Sequence, residues 1–191
     1  FDIPVDNLYA SPIFALDAKH YFKDLSRITV VSPDVGGVSR ARELAERINA
    51  DLAIVDKRRS TDGEVSHMTI IGTVEDRICL IVDDICDTAG TLVKAAQLLL
   101  NQGAVEVHAY ITHGVLSGSA VEKINDSDIK SLVVTDTIES TSEVSKCTKI
   151  RFVATAPMLA QAMLNIAHGS SVSSLFNDDT LGPIYEAFYP T

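Results

Sequence analysis

The chain has 191 residues, 46% of them hydrophobic, and a formal net charge of −10. That apolar content supports a full core and excludes global disorder, while the acidic balance argues against nucleic-acid binding, which needs a basic face. No apolar run approaches the roughly 20 residues of a membrane span, so no membrane partner is expected. Cys79, Cys86 and Cys147 show neither metal-ligand spacing nor a disulfide framework, which makes a reducing, cytoplasmic setting the expectation. The opening "FDIPVDNLYASP" has no secretory signal and no initiator Met, which suggests a trimmed or partial chain.

In chain order, "RITVVS" (27–32) reads as a strand and "SRARELAERINA" (39–50) as a helix with Ala41, Leu44, Ala45 and Ile48 on one face. "LAIVD" (52–56) is a short strand, and "STDGEVSH" (60–67) a polar loop. "ICLIV" (78–82) is continuously apolar, as a strand buried on both faces of a parallel sheet must be. "TLVKAAQLLLNQG" (91–103) is a helix closed by Gly103. Strands follow at "VEVHAYITHG" (105–114), "SLVVTD" (131–136) and "KIRFVAT" (149–155), with a helix at "SAVEKIND" (119–126). "PMLAQAMLNIAHG" (157–169) is a helix opened by Pro157 and closed by Gly169. The tail 177–191 shows no strong pattern, and there is no internal repeat or linker. The alternation predicts one α/β domain over 1–191: a doubly wound, mostly parallel sheet with helices on both faces.

Ligands of such sheets sit at the carboxyl ends of strands. Three strand ends carry unusual chemistry here: "SPDVGG" (32–37), "DKRR" (56–59) and "DDICDTAGT" (83–91). In the last, Asp83, Asp84 and Asp87 precede Thr88, Ala89, Gly90 and Thr91, where a helix begins. N–H groups at a helix start carry partial positive charge and, with two hydroxyls, make a phosphate cradle. Gly90 permits close backbone approach. No Walker loop is present, since G-x-x-x-x-G-K-[ST] is absent. Carboxylates beside a phosphate repel it, so they fit binding of sugar hydroxyls, or of a metal that bridges to phosphate. A sugar phosphate is therefore the ligand class expected. A helix cap by Asp87 or Thr88 is the bland alternative, but a cap needs one such residue, not three aspartates. Asp34, Val35, Gly36 and Gly37 offer a carboxylate and a backbone nest for a second anion. Lys57, Arg58 and Arg59, ahead of a polar loop, suit clamping of a transferring phosphoryl group, although basic runs are more often solvated surface.

"IVDDICDTAGT" resembles the phosphoribosyl-pyrophosphate (PRPP) motif shared by type I phosphoribosyltransferases and ribose-phosphate pyrophosphokinases (PRPP synthetases). "FDIPVDNLYASP", "VVSPDVGGVSRA", "DKRR", "YITHGVLSG", "VVTDTI" and "SVSSLF" resemble the synthetases specifically, in order to about residue 176. The chain looks like the C-terminal portion of that enzyme. The resemblance implies a type I phosphoribosyltransferase-like fold, and transfer of the diphosphoryl group of ATP to the C1 hydroxyl of ribose 5-phosphate, with Mg²⁺, in a homo-oligomer. It puts the ribose-phosphate loop on Asp83, Asp84, Asp87, Thr88, Ala89, Gly90 and Thr91, and the pyrophosphate loop on Asp34 to Gly37, with Asp34 facing the metal. It gives the transition-state cations as Lys57 and Arg59, and an allosteric phosphate site near Ser171 and Ser173. It also implies a missing N-terminal domain that supplies much of the ATP site, so the isolated chain is expected to be inactive. None of the five histidines takes that domain's metal-binding role by motif, and His113 suits a core or strand-end place. A phosphoribosyltransferase, or a non-catalytic regulatory subunit of the synthetase family, are the alternatives.

Overall fold

Strands that are apolar on both sides require cover on both faces, and the helices of this chain provide it. A computed structural model describes residues 1–59 and 65–188, with the side chains of 57–59, 65–67, 178 and 188 outside the description. Helix α1 (Ser11–Tyr21) leads to strand β1 (Ile28–Ser32), followed by α2 (Val38–Ile48), β2 (Asp51–Arg59), β3 (Val65–Ile71) and β4 (Ile78–Cys86). Then come α3 (Gly90–Asn101), β5 (Glu106–Gly114), α4 (Ala120–Asp126), β6 (Ser131–Thr135), β7 (Ile150–Val153), α5 (Ala156–Ala167) and α6 (Asp178–Phe188). The strands form one sheet in the order β3-β2-β1-β4-β5-β6-β7. All neighbours pair in parallel except β2 with β3. No helix among the described residues is long and apolar enough to cross a membrane.

The period-2 alternation of a strand divides the core in two. Cys79 and Ile81 of β4, with Val31, Ala109 and Val134, pack beneath α3 and α4. Leu80 and Val82 of the same strand, with Val30, Tyr110 and Val133, pack beneath α1, α2, α5 and α6. The doubly wound, mostly parallel sheet expected from the sequence is therefore present.

Five elements differ from expectation. Helix α1 is not predicted by periodicity, because Ile13, Phe14, Ala15 and Ala18 are all buried and no clean polar face remains. Strand β3 includes Val65, Ser66 and His67, which the sequence suggests as loop; its antiparallel pairing with β2 supplies the order that local pattern lacks. Ser60 to Glu64 lie outside the described residues. The patternless tail contains α6, despite Gly182 and Pro183 within it. Burial of Leu181 and Tyr185 overrides those breakers, and the Tyr185 hydroxyl donates to the Ala154 carbonyl at 2.6 Å. Finally, β2 and β4 run three and four residues past their expected ends, to Arg59 and Cys86.

A polar network fastens α1 to the sheet. The Asp17 carboxylate accepts from Arg151 Nη1 and Nη2 at 2.9 and 2.8 Å and from the Tyr110 hydroxyl at 2.8 Å. The Arg151 guanidinium also lies 4.6 Å over the Tyr21 ring. Removing one partner leaves the other desolvated and unpaired. Asp17→Ala is therefore expected to lower the unfolding free energy by about 2–3 kcal/mol, less than for a fully buried pair because Arg151 keeps some contact with water. Urea unfolding measures this directly; a loss under about 0.5 kcal/mol would mean the pair is screened like a surface bridge.

Candidate functional site

The strand order reverses between β1 and β4, and the connections that leave these two strands diverge. A crevice at such a switch point is where an open sheet accepts ligands. Here it holds an open cavity of about 260 Å³. Pro33 and Asp34 line it from the β1 side, Asp83, Asp87 and residues 88–91 from the β4 side, and Ile111 of β5 from beyond β4.

Asp83 and Asp84 belong to β4 rather than to a loop after it. Strand β5 is equally long, so it continues the ladder: Asp83 pairs with Ile111, Ile85 with His113 and Cys86 with Gly114. Successive strand residues face opposite ways. Asp83 accordingly lines the cavity, whereas Asp84 is exposed and does not. Arg40 of α2 bridges the two, with Nη1 2.9 Å from Asp83 Oδ1 and Nη2 2.7 Å from Asp84 Oδ2. Desolvation pushes the Asp83 carboxyl up to about 6; the Asp84 charge adds to this, and the Asp84 N–H and Arg40 oppose it. Arg40 was not among the residues singled out from the sequence. Nothing local distinguishes it from Arg42 or Arg47 on the same helix.

The turn into α3 is shaped for an anion. Its N-cap residue is Ala89, at φ 59° and ψ 0°, and no side chain caps the helix. A cap by Asp87 or Thr88 is thereby excluded; Asp87 instead accepts from the Ser117 hydroxyl. The left-handed conformation costs a non-glycine residue of order 1 kcal/mol, and such strain collects at ligand clamps. Burial pushes the Cys86 thiol up to about 11, so it stays neutral. The N–H groups of Gly90 and Thr91 open α3, beside the exposed hydroxyls of Thr88 and Thr91. A Cβ at Gly90 would meet nothing nearer than Thr88 Oγ1 at 4.0 Å, so protein packing does not require this glycine. An approaching ligand would.

The second loop departs from the open nest expected of it. The Gly37 N–H donates to Asp34 Oδ1 at 3.0 Å, and the Ser32 hydroxyl donates to the Asp34 carbonyl at 2.6 Å. A Cβ at Gly37 would lie 2.9 Å from Ser32 Oγ, so only glycine fits this buried position. Val35 and Gly36 are exposed and outside the cavity lining. The loop therefore folds around Asp34 and brings that carboxylate to the cavity wall.

No group of three or more His, Cys, Asp or Glu able to hold a metal occurs among the described residues. Mg²⁺ does not need one, because it binds through one or two carboxylates, phosphate oxygens and water. The hard carboxylate donors of Asp34 and Asp83 on one cavity fit such an ion. Lys57 and Arg59 are backbone-paired in β2, opposite Met68 and Val65, and their side chains lie outside the described residues. Since β2 runs parallel to β1, they stand at the rim that carries the cavity. Ser171 and Ser173 are exposed between α5 and α6 and do not line it. His113 is a strand-end residue, with Nδ1 2.9 Å from Thr137 Oγ1.

Sheet order, crevice and helix-start cradle together define a type I phosphoribosyltransferase-like domain. A family model for the phosphoribosyl synthetase-associated domain matches residues 59–177, and the chain belongs to that family. The ribose-phosphate pyrophosphokinase of Cereibacter sphaeroides is 65% identical over 190 residues, covering 99% of this chain and 56% of that protein. That of Bradyrhizobium diazoefficiens is 54% identical over 177 residues, covering 93% and 56%. The phosphoribosylpyrophosphate synthetase of Mycobacterium smegmatis superposes with a TM-score of 0.79 at 30% identity, over 89% of this chain and 54% of that one. The chain thus spans little more than half the length of these relatives.

Two outcomes are expected at this site. Gly90→Ala should leave the fold intact or stabilise it by up to about 1 kcal/mol, because alanine favours helix. It should also weaken ribose 5-phosphate binding by about tenfold or more, because its methyl stands where the anion approaches. Thermal melts beside calorimetry separate these effects, and unchanged affinity would remove the anion from this turn. Sugar hydroxyls donate to an ionised carboxylate, so affinity should rise with pH through about 6, where Asp83 ionises. Asp83→Asn should remove that component and leave only the ligand phosphate's own titration.

Proposed function

We propose that the protein containing this chain is a ribose-phosphate diphosphokinase, which passes the diphosphoryl group of ATP to the C1 hydroxyl of ribose 5-phosphate. The chain supplies the sugar-phosphate half of the site. The observation that carries this is one crevice holding both an uncapped helix start and carboxylates on facing loops. A phosphate alone would be repelled by Asp34, Asp83 and Asp87. A phosphorylated sugar uses both kinds of group, its 5-phosphate on the Gly90 and Thr91 amides and its ring hydroxyls on Asp83 and, at the rim, Asp84. The activity for which these relatives are named agrees with that ligand.

For the end of β2 to take part, C1 of the sugar so held must face the β1–β2 side of the rim. The C1 oxygen attacks the β-phosphorus of ATP, the bond from that phosphorus to the bridging α–β oxygen breaks, and AMP leaves. The hydroxyl proton passes to solvent. Such transfers depend on alignment and on neutralising charge on the transferring oxygens. Lys57 and Arg59 at the end of β2 are the cations for that task, and Arg58, one residue out of phase, is less suited. Asp34 would hold Mg²⁺, which when bound neutralises phosphate charge. Adenine contacts are assigned to the part of the protein beyond this chain, so the isolated chain should bind ribose 5-phosphate without forming PRPP. A homo-oligomer in the cytoplasm, with neither nucleic acid nor membrane as partner, completes the proposal.

Full-length protein given ATP, Mg²⁺ and ribose 5-phosphate should release AMP, and should not join PRPP to purine bases; the reverse result would make it a phosphoribosyltransferase. Lys57→Ala and Arg59→Ala should each lower kcat by about 100-fold or more with a smaller change in KM, as for contacts made mainly in the transition state. A raised KM with unchanged kcat would make them ordinary binding groups.

A further inference from the structure

The segment "GVLSG" (114–118), part of the family resemblance, has no place in the chemistry above. It connects β5 to α4 and lies outside the cavity lining. Its contacts nevertheless run to the sugar-phosphate loop. Leu116 N–H donates to the Cys86 carbonyl at 3.1 Å, and Ser117 N–H to the Asp87 carbonyl at 3.0 Å. The Ser117 hydroxyl donates to Asp87 Oδ1. One turn further on, Lys123 Nζ of α4 reaches the Thr88 carbonyl at 3.1 Å. The connection is itself strained: Leu116 is held at φ 51° with its side chain buried.

We propose that Ser117 and Lys123 are positioning residues for the sugar-phosphate loop, a role that rests on the ribose 5-phosphate site proposed above. Two physical problems of that loop call for them. First, the Asp87 carboxylate borders the amides that receive an anion. Free to swing, it would oppose the ligand's charge; tied at Oδ1 by Ser117, it is held to the β5–α4 connection. Second, Ala89 must keep a left-handed backbone that alanine does not favour. The peptide that precedes Ala89 sets its φ. Lys123 holds the carbonyl of that peptide. A planar peptide moves as one unit, so holding its carbonyl restrains the turn that presents Gly90 and Thr91. The Lys123 ammonium also brings positive charge to a loop bordered by Asp87.

The test uses the full-length enzyme. Lys123→Met and Ser117→Ala should each raise KM for ribose 5-phosphate by about 3- to 20-fold, the effect of one hydrogen bond or one charge contact. KM for ATP and kcat should change by less than about twofold, because neither residue touches the transferring group. Lys123→Arg and Ser117→Thr keep the donors and should recover most of the loss. Glycine takes the left-handed conformation freely, so the Lys123→Met penalty should shrink when Ala89→Gly is present, a suppression that a general packing role would not give. Unchanged KM for ribose 5-phosphate in both variants would overturn the proposal. So would equal rises in both substrates' KM with a lowered Tm and no suppression by Ala89→Gly. Wild-type enzyme with no ribose 5-phosphate-dependent turnover would overturn the site itself, and the positioning role with it; wild-type turnover with unaffected variants would overturn the positioning role alone.

Discussion

A parallel sheet covered on both faces leaves one place for polar chemistry, the rim where its strands end. In this chain the interior of the sheet is closed to ligands: Val30, Val31, Leu80, Ile81, Ala109 and Val133 are fully buried between two helical layers. The strand order then decides which part of the rim opens. Chain connections diverge between β1 and β4, so the loops after those two strands separate and leave a crevice. Everything the site contains follows from that divergence. Asp34 comes from the loop after β1, Asp83 from the end of β4 and residues 88–91 from the turn after it, and they meet only because β1 and β4 are neighbours.

The rim of an acidic chain is an awkward place for an anion, and the structure deals with each carboxylate separately. Asp83 and Asp84 share the Arg40 guanidinium. Asp34 accepts the Gly37 N–H, and Asp87 accepts the Ser117 hydroxyl. Each carboxylate has a defined direction and a donor that offsets part of its charge. What remains unopposed is the start of α3, with its uncapped amides and the partial positive charge of the helix end.

Order at this site is held from outside it. Ala89 keeps a left-handed backbone, and β4 continues as a strand beyond its apolar stretch because β5 extends alongside. The same dependence appears beneath α1, where Asp17 is held by Arg151 and Tyr110 from two different strands. Local sequence supplies the residues, and distant segments supply their geometry.

The sequence by itself determined the parts whose physics is local. Continuous apolar runs marked β1 and β4, one-sided periodicity marked α2, and small hydroxyl residues after a row of aspartates marked the turn before α3 that lines the crevice. Those signals survive folding because each element carries its own burial pattern. The tertiary structure alone decided the rest. Helix α1 is buried on several sides and has no amphipathic period to read; α6 forms through Gly182 and Pro183 because the core takes Leu181 and Tyr185. Strand β3 exists through its pairing with β2, and the same pairing carries β2 on to Arg59. Arg40 reaches Asp83 across 43 residues, and Lys123 reaches Thr88 across 35. No local pattern records such contacts, since they depend on which strands the sheet places side by side, and that order is fixed by packing of the whole chain rather than by any one segment.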